Sequence, residues 1–171
     1  AQRLDCASVA FTYNDPVIFA EYAIDTAVAC HDVGVRTVAV TAGYINPEPR
    51  EAFYRHMDAA NIDLKGFTAD FYHRVCGADL ADVLDTIEYV ATSTDTWLEL
   101  TTLLIPGHND SEAELDEMTR WVVAHCGPDV PMHFSAFHPD WKMRDVPATP
   151  VATLARAREI TRESGALLIL D

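Results

Sequence analysis

The feature that most constrains this chain is its strict alternation of short β-rich runs with helical stretches. Ser8 to Pro16 begins as a β-rich run and ends in a polar turn, whose last two residues, Asp15-Pro16, open a helix. Asp15 suits the N-cap because its carboxylate accepts an orphan helix N–H, and Pro16 suits the first helical position. The unit then repeats. Strands are expected at 36–40, 61–65, 97–105, 132–137 and 166–170, giving six strands against five principal helices. Strict alternation implies parallel strands joined by right-handed crossovers. The expected fold class is α/β, a partial (β/α) barrel of parallel strands like an incomplete TIM barrel. Both terminal strands then serve as edges.

The helices between these strands have their own signals. One runs from Pro16 to about Asp32, and one over 47–60 has Asn46 as candidate cap. A short helix at 69–75 stops at Gly77, and 78–91 carries Leu80, Val83, Leu84, Ile87 and Val90 on one face. Ser111-Glu112-Ala113-Glu114 reads as a capping box opening a helix to Cys126-Gly127, with Leu115, Met118, Val122 and His125 inward. Thr149 reads as cap and Pro150 as first residue of the last helix.

A length of 171 residues suits one domain, 1–171, and 49% apolar residues suit a packed core. No apolar run is long enough to span a bilayer, and the opening residues lack a signal peptide's apolar core, so the chain reads as cytoplasmic. The net charge of −15 speaks against nucleic-acid and anionic-membrane partners. Only Lys65 and Lys142 are lysines among the 12 Lys and Arg residues, and Lys65 lies outside any solvated charge run. Cys6, Cys30, Cys76 and Cys126 are 24, 46 and 50 positions apart, which matches no short metal-binding loop. They read as small buried thiols. No Gly-rich phosphate loop, nucleophile elbow or His-Glu-x-x-His is present.

Polar residues gather instead at successive strand ends: Asn14 and Asp15, Thr41, Asp63 and Lys65, Thr101, and His138. In barrels and open parallel sheets this is where ligands bind. Asp63 and Lys65, two apart, point to one side of a strand. The pair reads either as a structural ion pair or as part of a site for an amino-acid-like ligand, in which a carboxylate receives an ammonium and a lysine receives a carboxylate. His133 and His138 fall on opposite sides of a regular strand, which argues against a shared zinc.

The motifs Phe-Thr-Tyr-Asn-Asp-Pro (11–16), Val-Thr-Ala-Gly-Tyr (40–44), Asp-Leu-Lys (63–65), Leu-Leu-Ile-Pro-Gly-His-Asn-Asp (103–110) and Phe-His-Pro-Asp (137–140) occur in order. Together they resemble the radical S-adenosylmethionine (SAM) superfamily, in the branch of pyruvate formate-lyase activating enzymes and nearest to the radical SAM enzyme of the AmmeMemoRadiSam system. The resemblance implies a partial barrel holding SAM, with a four-iron four-sulfur (4Fe-4S) cluster on a Cys-x3-Cys-x2-Cys loop. That cluster reduces SAM to methionine and a 5′-deoxyadenosyl radical, using an external electron donor. By position, Asn14 and Asp15 match the turn whose carboxylate receives the SAM amino group. Thr41 and Gly43 match part of an Asp-Thr-Asn-Gly pattern. Asp63 and Lys65 match an Asp-x-Lys motif, with Lys65 at the SAM carboxylate. Thr101 falls at a contact that is basic in activating enzymes, and His138 lies near the adenosine. Val40 and Ala42 depart from the pattern. The cluster loop and first strand are expected upstream of residue 1, so the chain is expected to hold no metal, to be truncated at its N-terminal side and to be inactive alone. The substrate, small molecule or protein, has no signature. Two rival readings are a Schiff-base aldolase with Lys65 as nucleophile and a non-catalytic module that recruits a partner strand at its open edge.

Overall fold

The structure is a computed structural model that describes residues 1–166. Most of the expected sixth strand, 166–170, lies outside the described residues, and Ala166 itself carries no regular structure. The fold is α/β, with five strands in one open sheet in which sheet order follows chain order. The described ladders are parallel. The chain divides into two compact units, Ala1–Asp63 with Asp82–Glu99, and Leu64–Ala81 with Leu100–Asp171.

The first unit holds strands β1 (Ser8–Phe11), β2 (Arg36–Thr41) and β3 (Ala59–Asp63). Its helices are α1 (Ala20–His31) and α2 (Pro47–Tyr54), with all but the first two residues of α4 (Leu80–Ser93). Asp15 caps as expected: its carboxylate accepts the Val17 N–H at 3.0 Å. The first turn, Pro16–Phe19, is 3₁₀ and continues into α1. Ala23 and Ala27 on α1 and Ala39 on β2 are fully buried. Small side chains there let helix and sheet backbones approach closely. Val83, Thr86, Ile87 and Val90 form the buried face of α4. Leu80 and Leu84 are only half-buried.

Several boundaries differ from the sequence reading. α2 ends at Tyr54 and β3 begins at Ala59, so the helix expected over 47–60 is short by a turn and more and the strand starts early. Asp58 is the reason. Its carboxylate accepts the Thr37 N–H at 2.7 Å and the Thr37 hydroxyl at 3.1 Å, and lies 2.9 Å from His31 Nε2. The Asp58 carbonyl accepts the Trp97 N–H, and its own N–H donates to the Thr37 carbonyl. That non-local set of bonds fixes extended backbone where local pattern favours helix. Asn46 has extended backbone and makes no side-chain cap bond.

The second unit holds most of β4 (Trp97–Leu104), β5 (Met132–Ala136), α5 (Glu112–Cys126), α6 (Val151–Glu163) and the short α3 (Ala69–Phe71). A π turn, Tyr72–Cys76, extends α3 to Gly77, whose φ of 68° closes it. Leu100, Leu104, Met132, Phe134, Leu115, Met118, Val122, Ala157 and Ile160 make its core. Ser111 accepts the Glu114 N–H, which is half of the expected capping box. The other half is missing because Glu114 reaches to another segment, described below. His125 is exposed and stacks on Trp121 at 4.6 Å, off the inner face expected for it.

Thr149 is not the cap of α6, which opens after Pro150 with no side-chain cap. Its buried hydroxyl donates to the Leu104 carbonyl at 2.5 Å and accepts the Phe137 N–H at 2.8 Å. It therefore ties the end of β4 to the end of β5. Thr149→Val would strand two buried backbone groups. We expect a loss of about 2–4 kcal/mol of unfolding free energy, read by urea denaturation, with Thr149→Ser keeping most of it.

Candidate functional site

The residues read as ligand-facing are divided between the two units. The first holds Asn14, Asp15, Thr41, Gly43 and Asp63, and the second holds Lys65, Thr101 and His138.

In the first unit Asp15, Thr41 and Gly43 come together. Asp15 Oδ1 accepts both the Val17 N–H and, at 2.8 Å, the Thr41 hydroxyl, while Oδ2 accepts the Ala42 N–H at 2.8 Å. Thr41 Oγ1 in turn accepts the Gly43 N–H at 3.1 Å. Gly43 has φ of 69°, and a Cβ there would sit 2.7 Å from Ile62 Cγ2, so glycine is required twice over. A carboxylate offers about four lone-pair positions. Three are taken by these donors, which leaves one on Oδ2.

Asn14 is exposed, and its N–H donates to the Thr12 carbonyl at 3.1 Å across Tyr13. Tyr13 is fully exposed with φ of 71°. A left-handed conformation costs a side-chain-bearing residue about 1–2 kcal/mol, so the turn is held by its neighbours. The sequence reading singled out Asn14 and Asp15 and passed over Tyr13 between them and the strand. Thr41 is paired with Ile62 and shares its buried side. Asp63, one residue further along β3, lies on the opposite, half-buried side with Asn61. Thr41 and Asp63 are therefore not on one face.

Deeper in this unit, burial pushes the Tyr54 phenol far up, and the Asp15 carboxylate adds to the shift against a smaller pull from Arg50. The phenol stays neutral. Arg50 is buried, pairs with Asp85 at 2.6 Å and lies 4.3 Å over the Tyr89 ring. A cavity of about 450 Å³ opens among Val17, Glu21, Tyr44, Asn46, Asp82 and Asp85. Its acidic rim disfavours anions.

In the second unit side chains hold the backbone around Lys65 at four points. The Leu64 carbonyl accepts the Thr102 hydroxyl at 2.7 Å. The Lys65 N–H donates to Tyr72 Oη at 3.0 Å, and the Lys65 carbonyl accepts Asn109 Nδ2 at 2.6 Å. The Phe67 N–H donates to Glu114 Oε1 at 2.7 Å. Lys65 itself is half-buried, continuing the alternation in which Ile62 and Leu64 are buried. Its charge is close enough to Cys76 to offset part of the rise that burial imposes on that thiol. Thr101 is half-buried on β4, in register with the buried His133. His138 lies beyond the end of β5, is exposed, and has Nδ1 3.1 Å from Asp140 Oδ2.

Tyr72, Thr102, Asn109 and Glu114, which bond to the backbone at 64–67, are not among the residues that the sequence reading places at strand ends. The signal for Asn109 was its place in Ile-Pro-Gly-His-Asn-Asp, just past a strand that ends abruptly. Tyr72 and Thr102 carry no sequence signal of this kind. Among the described residues no group of three or more His, Cys, Asp or Glu is placed to hold a metal ion. Cys6 is exposed and the other three cysteines are half-buried and dispersed between the units, so this donor set does not fit an iron–sulfur cluster. No helix among the described residues is long and apolar enough to cross a membrane.

The comparisons with known proteins agree with this fold. No protein-family model matches the chain. The chain is 41% identical over 165 residues to the uncharacterized protein MJ0808 of Methanocaldococcus jannaschii, covering 96% of this chain and 48% of that protein. It is 25% identical over 133 residues to the 4-hydroxyphenylacetate decarboxylase activating enzyme of Clostridioides difficile, covering 76% of this chain and 41% of the relative. The chain thus spans less than half the length of either relative. Among solved structures, a domain of the pyruvate-formate lyase-activating enzyme from Bacteroides vulgatus superposes with a TM-score of 0.84 at 18% identity, over 96% of this chain and 99% of that one. A radical SAM methyltransferase from Sphaerobacter thermophilus superposes with a TM-score of 0.79 at 14% identity, over 96% of this chain and 50% of that one. The chain has the fold of a partial radical SAM barrel.

Burial, the largest influence, raises the Glu114 carboxyl; Asp110 and Glu117 add to this, and the Phe67 N–H opposes it. A carboxyl that holds its proton more tightly when folded adds stability as pH falls. Relative to Glu114→Gln, wild-type protein is expected to gain unfolding free energy as pH drops from above the raised value to below the ordinary glutamate range, and to gain nothing beyond that. Parallel urea titrations of the two proteins across that window check the sign.

Proposed function

We propose that this chain is the SAM-binding part of a radical SAM enzyme of activating-enzyme type. The observation that carries the reading is the agreement, over nearly the whole chain, with the fold of a domain from a pyruvate-formate lyase-activating enzyme. The weaker sequence relationship to a second activating enzyme points the same way. One solved neighbour, SuiB of Streptococcus suis, is a complex with S-adenosylmethionine.

Each unit by itself offers a group suited to one charge of the amino-acid end of SAM. Asp15 keeps one lone pair for an ammonium after satisfying three protein donors. Lys65 supplies an ammonium for a carboxylate from backbone that is tied at each side. Asp63 and Thr101 are half-buried polar groups for the remainder of the ligand, and Asn14 and His138 are exposed ones. Thr41 and Gly43 shape the turn that presents Asp15. In an enzyme of this type a 4Fe-4S cluster would relay the electron for reductive cleavage of SAM, and none of the described residues is assigned to hold it. The cysteines of this chain are assigned no part in that chemistry, and an external donor supplies the electron. The AmmeMemoRadiSam assignment and a cytoplasmic location belong to the same proposal.

The experiment is calorimetric titration of SAM into the full-length, iron–sulfide-reconstituted protein. Lys65→Met is expected to weaken binding by about tenfold or more, the effect of losing one charge-assisted hydrogen bond. Equal affinity in the two proteins would remove Lys65 from the site, and no heat of binding in the wild type would end the SAM reading. Residues 1–171 alone are expected to produce no 5′-deoxyadenosine under anaerobic reducing conditions. Borohydride with small ketones is expected to leave Lys65 unlabelled, whereas a trapped adduct would favour the aldolase.

A further inference from the structure

We propose that Asn109, with Tyr72 as a second point of attachment, is a positioning residue for Lys65. On this assignment the end of β4 and the lysine that meets the ligand carboxylate are one rigid assembly. The inference rests on the reading of Lys65 given above and adds residues that act through it.

The argument begins with hydrogen-bond accounting. β3 ends at Asp63, and past that point the backbone no longer belongs to a strand. Buried backbone groups still need partners. Here the buried Leu64 carbonyl and the partly buried Lys65 N–H, Lys65 carbonyl and Phe67 N–H are served by Thr102, Tyr72, Asn109 and Glu114 respectively. These side chains come from β4, the π turn, the turn after β4 and α5. A segment carrying a lysine is thus pinned from four directions.

Asn109 holds the central place in this arrangement. It is fully buried. Nδ2 donates to the Lys65 carbonyl at 2.6 Å and to the Leu103 carbonyl at 2.9 Å, while Oδ1 accepts the Ile105 N–H at 2.6 Å. Only a short side chain with two donors and an acceptor meets all three demands. Aspartate would set a carboxylate against two carbonyl oxygens, and serine has a single proton to donate. Two of the three bonds close the turn after β4, alongside the Gly107 N–H donated to Asp110 Oδ1 at 2.8 Å. The third bond of Asn109 reaches across to Lys65.

A lysine has a long, flexible stem, so the protein controls its ammonium mainly by where the Cα is fixed and how the stem is packed. A group that must meet a ligand charge within a few tenths of an ångström needs such a base.

The test is a double-mutant cycle on SAM affinity in the full-length, iron–sulfide-reconstituted protein, with amide hydrogen exchange as a second readout. Asn109→Ala and, separately, Tyr72→Phe are placed in the wild-type and Lys65→Met backgrounds. Tyr72→Phe removes one oxygen and serves if Asn109→Ala fails to fold. Each is expected to speed exchange of the Lys65 or Phe67 amide. Each is also expected to weaken SAM by about tenfold when Lys65 is present and by less than about twofold when it is absent. Equal losses in both backgrounds would make the effect general to the fold and overturn the proposal. Unchanged amide exchange would overturn the clamp while leaving the SAM site standing. A Lys65→Met protein that binds SAM like the wild type would overturn both readings together.

Discussion

Much of this structure follows from one constraint: where a parallel strand stops, its backbone N–H and C=O groups lose their ladder partners and must be satisfied by something else. In a sheet fed by helices, the ends of the strands are also where loops leave and ligands are met. This chain meets the demand with side chains. In the first unit Asp15 and Thr41 satisfy the Val17, Ala42 and Gly43 N–H groups beyond β1 and β2. In the second, Thr102, Tyr72, Asn109 and Glu114 satisfy the groups beyond β3, and Thr149 does the same between β4 and β5. Apart from Glu114, each is a short or rigid polar side chain.

Such brackets change how a polar strand end should be read. A carboxylate or threonine at that position has two uses, to bind a ligand or to finish the sheet, and the types of residue that serve them are the same. Thr41 belongs to the second use, with its hydroxyl donating to Asp15 and accepting from Gly43. Asp15 also serves the second use, through three protein donors, and the one acceptor position they leave is what the proposed SAM reading draws on. A carboxylate anchored in this way cannot swing, which lowers the entropy lost when it meets a cation.

How much of this could be read beforehand depends on whether the determinant was local. The alternation of strands and helices, the Asp15-Pro16 start and the Ser111 cap were legible because each is set by residues within a few positions. The extent of α2, the start of β3 and the role of Thr149 were not, because Thr37, Phe137 and Leu104 decide them from 12 to 45 positions away. Glu114 makes the point most clearly. Its spacing from Ser111 fits a capping box, yet its carboxylate goes to the Phe67 N–H, 47 positions back. An unpaired N–H on a neighbouring segment is a stronger demand than a helix end that water can also reach.

The same reasoning bears on the candidate site, whose residue types are proposed from the sequence and whose hydrogen-bonded surroundings only the structure displays. Lys65 stood out because lysine is scarce in a chain of net charge −15, and because period-two alternation in the sequence puts Asp63 and Lys65 on one side of an expected strand. On the proposed reading, what makes such a lysine useful is the stiffness of its peptide, supplied by side chains whose partners are carbonyls and N–H groups. Backbone partners carry no residue identity and leave no mark in a sequence. Asn109 is visible only as one polar letter in a turn, although burial with all three of its bonds directed to backbone is what makes it irreplaceable there. If the proposed site is built this way, a sequence advertises the residues that would touch a ligand, and those that hold them still become apparent only from the hydrogen bonds they complete.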